Sequence, residues 1–153
     1  MKEYFDNLDE LMACFKKWQP RLGLSDWNIG LGLLPANEMD ADGVAGWSEV
    51  QWVNRCGVIE IMRKEDMPKN LLIRQVHECT LIREMLHFKF FSLSVSKDST
   101  VEEMYYDMSQ HQLLEELARA LFMAEYGLTP EWFYADGNYK CAIEDKEEII
   151  NDN

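Results

Sequence analysis

The sequence has few of the features that would place a protein in a membrane or an oxidising compartment. No apolar run approaches the roughly 18 residues needed to cross a bilayer, and no basic leader precedes an apolar segment. We therefore expect neither a membrane span nor a signal peptide. The four cysteines, Cys14, Cys56, Cys79 and Cys141, are scattered without a CxxC pair, which is typical of reduced thiols in a cytoplasmic protein.

Basic side chains are also scarce, at 15 Lys and Arg against 28 Asp and Glu, which gives a formal net charge of −13. Residues 98–136 hold nine acidic side chains and a single basic one, Arg119. Such a field repels nucleic acid and membrane surfaces and attracts basic partner proteins, although solubility alone is the simpler interpretation. Glu115, Glu116 and Glu125 lie too far along their predicted helix to stabilise its N-terminus, so they are candidates for contacting a basic partner.

Hydrophobic periodicity predicts a single domain at residues 1–143, followed by an acidic tail at 144–153. The pattern gives an N-terminal helix at 4–18, strands at 25–33, 47–53 and 58–62, and a helix at 104–126 that ends before Gly127 and Pro130. The last two strands are separated by a hairpin connection at 54–57 and are predicted to be antiparallel. The expected fold is α+β: a small, mostly antiparallel or mixed sheet of three to four strands packed against an N-terminal helix and two long helices.

The most informative stretch is 71–91, LLIRQVHECTLIREMLHFKFF, which lacks proline and glycine and predicts the first of the two long helices. Pro68 and Asn70 just before it are start signals. One face is apolar and predicts core packing: Leu72, Val76, Cys79, Ile82, Leu86 and Phe90. A second row is polar: Arg74, His77, Thr80, Glu84 and His87. The simplest interpretation of the second row is a solvated helix face.

Within this helix, Arg83-Glu84-Met85-Leu86-His87 is the zinc-helix motif His-Glu-x-x-His with arginine in the first position. In the intact motif, two histidines one turn apart bind the metal and the glutamate activates its bound water. Arg83 cannot be a ligand, because its guanidinium stays protonated. His77 cannot replace it as a partner for His87, because ten residues of helix separate the two by about 15 Å. The helix alone therefore does not build a zinc site.

The order of elements, over residues 4–127, resembles the minimal zincin metallopeptidase fold, and most of all the short zincin-like proteins of phages and other mobile elements. Three segments carry the resemblance: Trp27 to Ile29, Gly57 to Ile61, and Gln112 to Leu121. The resemblance implies that Glu84 matches the general base and His87 the second histidine ligand. His111 stands at the third-ligand position, which is commonly acidic in such proteins.

The replacement of the first ligand by Arg83 leaves two ways to complete the site. His87 and His111 could hold zinc weakly if a carboxylate or thiol joins them, with Glu115 and Cys79 as the nearest candidates. Alternatively, Arg83 pairs with Glu84 or with an acidic residue of the second long helix, so that a salt bridge replaces the ion and no cofactor is bound. We favour the salt bridge, and we expect Glu84, His87 and His111 to share one cleft.

Three functions follow from this resemblance. The first is a catalytically inactive zincin-like protein that binds a basic partner, such as a nucleic-acid-binding enzyme. A concrete version is a phage-encoded anti-defence inhibitor of the anti-CRISPR type, acting in the cytoplasm of a bacterial or phage-infected cell. The second is a metal-dependent peptidase that uses Glu84, His87 and His111. The third is a structural or metal-sensing accessory protein.

Two tryptophans are candidate anchors for a partner protein. Trp47 and Trp52 are five residues apart on one predicted strand, so they fall on opposite faces. One of them is therefore expected in the core, and the other exposed or in the cleft, where it would contribute to binding.

Overall fold

A computed structural model describes residues 1–40, 44–67, 73–90 and 101–134, with side chains in the last range described from Met108 onward. The elements are α1 (Leu8–Arg21), β1 (Asn28–Leu34), β2 (Gly46–Gln51), β3 (Cys56–Met62), α2 (His77–Phe90) and α3 (Val101–Tyr126), with 3-10 turns at Ala36–Glu38 and Pro130–Tyr134. Over these residues the fold is α+β, with a mixed sheet of three strands. The predicted acidic tail, 144–153, lies outside the described residues. Among the helices that are described, none combines the length and apolar composition needed to cross a membrane.

The strand β3 lies at the centre of the sheet, parallel to β1 and antiparallel to β2. The antiparallel pairing of β2 with β3 confirms the predicted hairpin. The predicted strand at 47–53 is two residues too long at its end, because β2 stops at Gln51 and the chain turns from Trp52. Arg55, which closes this turn, has a φ of 46°, and the Asn28 N–H donates to its carbonyl at 2.9 Å, so the turn leads directly into the β1–β3 pairing.

The helix α2 begins at His77, six residues later than the periodicity predicts. The segment 73–76 is not helical, because its backbone bonds to distant parts of the chain. The Arg74 N–H donates to the Phe133 carbonyl at 2.9 Å, and the His77 N–H donates to the Glu3 carbonyl at 2.9 Å. The start signals Pro68 and Asn70 lie outside the described residues. The N-terminal helix also starts later than predicted, at Leu8, because the Asn7 side chain caps it by accepting from the Glu10 N–H at 3.1 Å.

The core lies between one face of the sheet and the three helices, with α2 in the middle. Its largest fully buried apolar side chains are Leu11, Leu24, Ile59, Ile61, Val76, Leu81, Ile82, Met85, Phe88, Leu114 and Phe122. Ten of the 14 residues of α2 are buried, including His77, Thr80 and Glu84 of the polar row. The interpretation of that row as a solvated face is therefore wrong, because α2 is covered by the sheet, α1 and α3. A charged residue at position 84 must consequently find its partners inside the protein.

Candidate functional site

The candidate site forms where β2 crosses α2 at close range. Gly46, the first residue of β2, makes this approach possible: a Cβ atom there would lie 2.5 Å from Thr80 Cγ2 and 3.2 Å from Glu84 Cγ. Any larger residue would push the strand away from the helix. The close approach brings the Ser48 hydroxyl onto the Glu84 carboxylate, with Oγ donating to Oε2 at 2.9 Å.

A cleft of about 380 Å³ opens at this crossing, and α3 supplies its far wall. Its lining residues are Val44, Gly46, Trp47, Ser48, Val50, Arg83, Glu84, His87 and His111. The expectation that Glu84, His87 and His111 share one cleft is confirmed. The rings of His87 and His111 lie with their centroids 5.1 Å apart, one from α2 and one from α3.

Arg83 occupies the centre of the polar part of this cleft. Its Nε and Nη2 both donate to Glu84 Oε1, at 2.9 and 2.6 Å. Its Nη1 reaches Glu115 Oε2 on α3 at 3.4 Å, and its Nη2 reaches the Gly46 carbonyl at 3.4 Å. The predicted salt bridge is thus present, and it includes both Glu84 and an acidic residue of the second long helix.

The electrostatics of the cleft keep this arginine charged. Burial alone would lower the pKa of Arg83, but the charges and hydrogen bonds of Glu84 and Glu115 outweigh the burial and raise it. The Glu115 carboxylate is shared, because Arg119 Nη2 donates to its Oε1 at 2.8 Å. Two guanidinium groups and two carboxylates therefore neutralise one another in a network of which Arg83 and Glu84 line the cleft.

The carboxylate of Glu84, which the resemblance assigns as general base, has both oxygens engaged. Oε1 accepts from Arg83, Oε2 accepts from Ser48, and the residue is only 3% exposed. The His87 Nε2 lies 4.0 Å from Oε2, beyond hydrogen-bonding distance. In this arrangement the carboxyl group accepts from Arg83 and Ser48, whereas a general base must reach the proton that it abstracts. Ser48 was missed from the sequence, although strand alternation with Gly46 and Val50 could have placed it on the cleft side.

Two histidines of the cleft are potential zinc ligands. A catalytic zinc takes three protein ligands and an open position, and His87 and His111 are the two histidines that line the cleft. Cys79, the thiol considered as a third ligand, is buried and does not line the cleft, and burial raises its pKa to about 12. Over the described ranges, no group of three or more His, Cys, Asp or Glu residues is arranged to hold a metal ion.

The three acidic residues predicted to meet a partner differ in their surroundings. Glu115 pairs with Arg83 and Arg119, as described above. Glu125 pairs with Lys17 at 3.0 Å and Arg21 at 2.6 Å, both on α1. Glu116 is exposed and accepts a hydrogen bond from Gln112 at 3.2 Å. Two of the three therefore serve internal ion pairs, and a role for all three in partner binding stays a prediction.

The two candidate tryptophans lie in different parts of the structure. Trp47 lies half-buried in the wall of the cleft. Trp52 is 47% exposed in the turn after β2 and packs its ring against Trp27, with centroids 5.5 Å apart. The alternation argument that placed them on opposite faces of one strand is wrong, because Trp52 lies past the end of that strand. Trp47 is the candidate anchor that the cleft itself supports.

Sequence reasoning missed a second buried carboxylate, Glu78, on the side of α2 that contacts α1 and α3. Its Oε1 accepts from the Trp18 indole at 2.7 Å and from Lys17 Nζ at 2.8 Å, and its Oε2 accepts from the Tyr126 hydroxyl at 2.6 Å. Burial would raise the pKa of Glu78, but these donors outweigh it and lower the pKa. The network ties three helices together and is structural, since Glu78 does not line the cleft.

In chemical terms, the cleft is lined by apolar side chains and by the backbone of the edge strand β2. The charges of Arg83 and Glu84, which also line it, are paired with each other. Such a site can hold a ligand by shape, apolar contact and main-chain hydrogen bonds. Compared with known proteins, the chain matches no family model, no curated protein and no solved structure.

Proposed function

We propose that the chain is a non-catalytic, zincin-like protein that acts by binding a partner protein through this cleft. The observation that carries the proposal is the pairing of Arg83 with both Glu84 and Glu115. The guanidinium supplies the positive charge that a metal ion would bring to these carboxylates. It offers no open coordination position, and it has no bound water whose pKa it could lower toward neutrality.

The wall of the cleft formed by β2 suits an extended segment of a partner. The Met62 N–H donates to the Ala45 carbonyl at 2.9 Å, and this register turns the N–H and C=O groups of Trp47, Glu49 and Gln51 toward β3. The backbone groups of Ser48 and Val50, two residues that line the cleft, therefore point away from β3, and no main-chain group of the described residues bonds to them.

A polypeptide segment that adds to this edge as a fourth strand would satisfy these backbone groups. The side chains of Val44, Trp47 and Val50 provide apolar contacts for alternate side chains of that segment. Arg83 bonds to the Gly46 carbonyl and so limits the available edge to the part of β2 that follows Gly46.

The formal net charge of −13 favours a basic partner, such as a nucleic-acid-binding enzyme whose phosphate groove the protein would occupy. A phage-encoded anti-defence inhibitor is the concrete form of this proposal. Association with such a partner is expected to be fast and to slow steeply with added salt, because steering by net charge acts over about 8 Å at physiological ionic strength.

The strand-addition step is tested with peptides selected from a random display library on the full chain and measured by tryptophan fluorescence. Val50→Pro removes one N–H that faces the cleft and leaves the β2–β3 hydrogen bonds in place. Val50→Ala is the matched control, because it shortens the side chain and keeps the N–H. We expect Val50→Pro to bind the selected peptides about tenfold more weakly than Val50→Ala. Equal affinities for the two variants would contradict recognition by the β2 edge.

A metal-dependent peptidase is the second candidate, because the rings of His87 and His111 meet in the cleft. It would require a third ligand and the displacement of Arg83. The measurement that separates the two functions is the zinc content of protein purified without chelator or nickel column. Stoichiometric zinc together with peptide hydrolysis supports the peptidase, and its absence together with peptide binding supports the binding protein.

A further inference from the structure

The strand β1 forms the second edge of the sheet, on the side away from the cleft. The Asn28 N–H donates to the Arg55 carbonyl at 2.9 Å, and the Leu34 carbonyl accepts from the Arg63 N–H at 2.8 Å. In a parallel pair this register turns the backbone groups of the even-numbered residues toward β3. The N–H and C=O groups of Ile29, Leu31 and Leu33 therefore point away from the sheet.

These outward groups have almost no partners within the part of the chain that the structure describes. No backbone group there bonds to them, and one side chain does: Arg63 Nε reaches the Leu33 carbonyl at 3.3 Å. A carbonyl oxygen has two lone pairs, so this single long bond leaves Leu33 able to accept another.

The strand carries none of the features that usually prevent an edge from pairing with another chain. Its sequence, Asn-Ile-Gly-Leu-Gly-Leu-Leu, has no charged residue and no proline, and its register with β3 runs without a bulge from Asn28 to Leu34. Charged side chains, prolines and bulges are the common protections of edge strands. An edge without them favours pairing with a further strand.

The same sequence is self-complementary about its centre. Around Leu31, the residues Ile-Gly-Leu-Gly-Leu at 29–33 have nearly the same pattern in both directions. An antiparallel pair with its two-fold axis at Leu31 places Ile29 opposite Leu33 of the second copy. The three outward-facing residues thus become the hydrogen-bonded positions and exchange about six bonds. Gly30 lies opposite Gly32 of the second copy, so the close non-hydrogen-bonded pairs carry no side chains.

We propose that β1 pairs with β1 of a second copy, so that two three-stranded sheets join into one of six strands. The pairing would cover the half-buried side chains of Ile29, Leu31 and Leu33 on the core side. It does not depend on what the cleft binds, because the cleft lies at the opposite edge, along β2. A dimer of this kind presents two clefts at the two ends of one continuous sheet, and partners with repeated sites gain avidity from it.

Charge sets the conditions for this association. Each copy carries a formal net charge of −13, so the long-range repulsion between copies is strong at low ionic strength. Salt screens that repulsion and leaves the backbone hydrogen bonds and apolar contacts nearly unchanged. The dimer is therefore expected to tighten as salt is raised, whereas association with a basic partner weakens.

The test is sedimentation equilibrium of the full chain in about 0.5 M NaCl, where the Debye length is a few ångströms. Gly30→Lys with Gly32→Lys places lysines opposite each other across the two-fold axis. Gly30→Asp with Gly32→Lys places opposite charges there and is the matched control. In the monomer, added Cβ atoms at the two positions meet side-chain atoms at 3.3 Å: Val58 Cγ1 for position 30 and Leu34 Cγ for position 32. Both variants therefore disturb the monomer at the same contacts, and thermal melts followed by circular dichroism verify that they fold.

We expect a dimer for the parent chain, at least tenfold weaker association for the double-lysine variant, and recovery for the aspartate–lysine variant. Net charge cannot explain loss of the dimer, because two added lysines reduce the excess of negative charge. A parent chain that stays monomeric at about 200 μM would overturn the proposal, and so would a double-lysine variant that associates as the parent does.

Amide hydrogen exchange gives a readout that does not rely on variants. Protection of the Leu31 N–H that rises with protein concentration supports the pairing. Protection that is already complete in dilute monomer would mean that another segment of the same chain covers the edge, and it would overturn the proposal.

Discussion

Replacing Arg83 by methionine is the most direct test of the idea that an ion pair has taken the place of a metal ion. The change keeps a long apolar side chain and removes the two nitrogen donors of Arg83 to Glu84. Glu84 is 3% exposed, and the Ser48 hydroxyl would remain as a hydrogen-bond donor to it. Removing one partner of a buried pair costs about 3–5 kcal/mol. The Arg83 side chain is 26% exposed, so part of its charge is screened, and we expect a loss of about 2 kcal/mol in the free energy of unfolding.

The double variant Arg83→Met with Glu84→Gln separates this pair from general packing effects. With the carboxylate neutral, the loss of the guanidinium leaves no buried charge unpaired. We therefore expect the double variant to be more stable than the sum of the single losses predicts, by about 1 kcal/mol or more. Urea unfolding followed by circular dichroism at pH 7 measures the free energy of unfolding of Arg83→Met, of Glu84→Gln and of the double variant. Arg21→Met, in the partly exposed pair with Glu125, is the control and is expected to cost within about 1 kcal/mol. Strictly additive losses would refute the coupling of Arg83 and Glu84.

Further predictions concern the metal motif and two buried groups. Arg83→His restores both motif histidines and is expected to bind zinc measurably in titration calorimetry; undetectable binding in variant and parent alike would show that the cleft no longer accommodates a metal. Burial lowers the pKa of His77 to about 4 from its ordinary 6.5, so the unfolded chain takes up a proton first. Stability is then expected to fall by up to about 3 kcal/mol as the pH drops from 6.5 to 4, and this slope is absent in His77→Asn, whose amide oxygen can still accept from the Phe5 N–H. Glu78→Gln is expected to cost about 2 kcal/mol in urea unfolding because three donors lose a charged acceptor; a cost within about 0.5 kcal/mol would show that this network contributes little.

The grouping of Arg83, Glu84 and His87 was predictable because it follows from local periodicity: the three residues lie on one side of a helix whatever the rest of the chain does. The hairpin of β2 and β3 was predictable for the same reason. The burial of Glu84 was not predicted, because it depends on how β2 and α3 pack on α2. The start of α2 was not predictable from the local sequence, because the backbone partners of Arg74 and His77 come from Phe133 and Glu3, at the two ends of the described chain.

The internal partners of the acidic residues could not be predicted for a related reason. Summing acidic residues treats each as a solvated charge, yet Glu125 on α3 pairs with Lys17 and Arg21 on α1, about a hundred positions earlier. Nothing in the local sequence of α3 indicates these partners. The buried position of Glu78 is hidden in the same way, because its donors come from two other helices. Long-range pairing of charges depends on which helices pack together, and the pattern of residues along the sequence does not show this.

The Glu78 network also has a consequence for how the protein is made. Its donors come from Lys17 and Trp18 near the start of the chain and from Tyr126, at the end of α3. During synthesis the first two exist long before the third, and a buried carboxylate with incomplete hydrogen bonds is costly. The nascent chain therefore gains the full stability of the buried α2 only when the last turn of α3 has been made. Chains that terminate before residue 126 are expected to be cleaved by proteases faster than the full chain, because they lack this last donor.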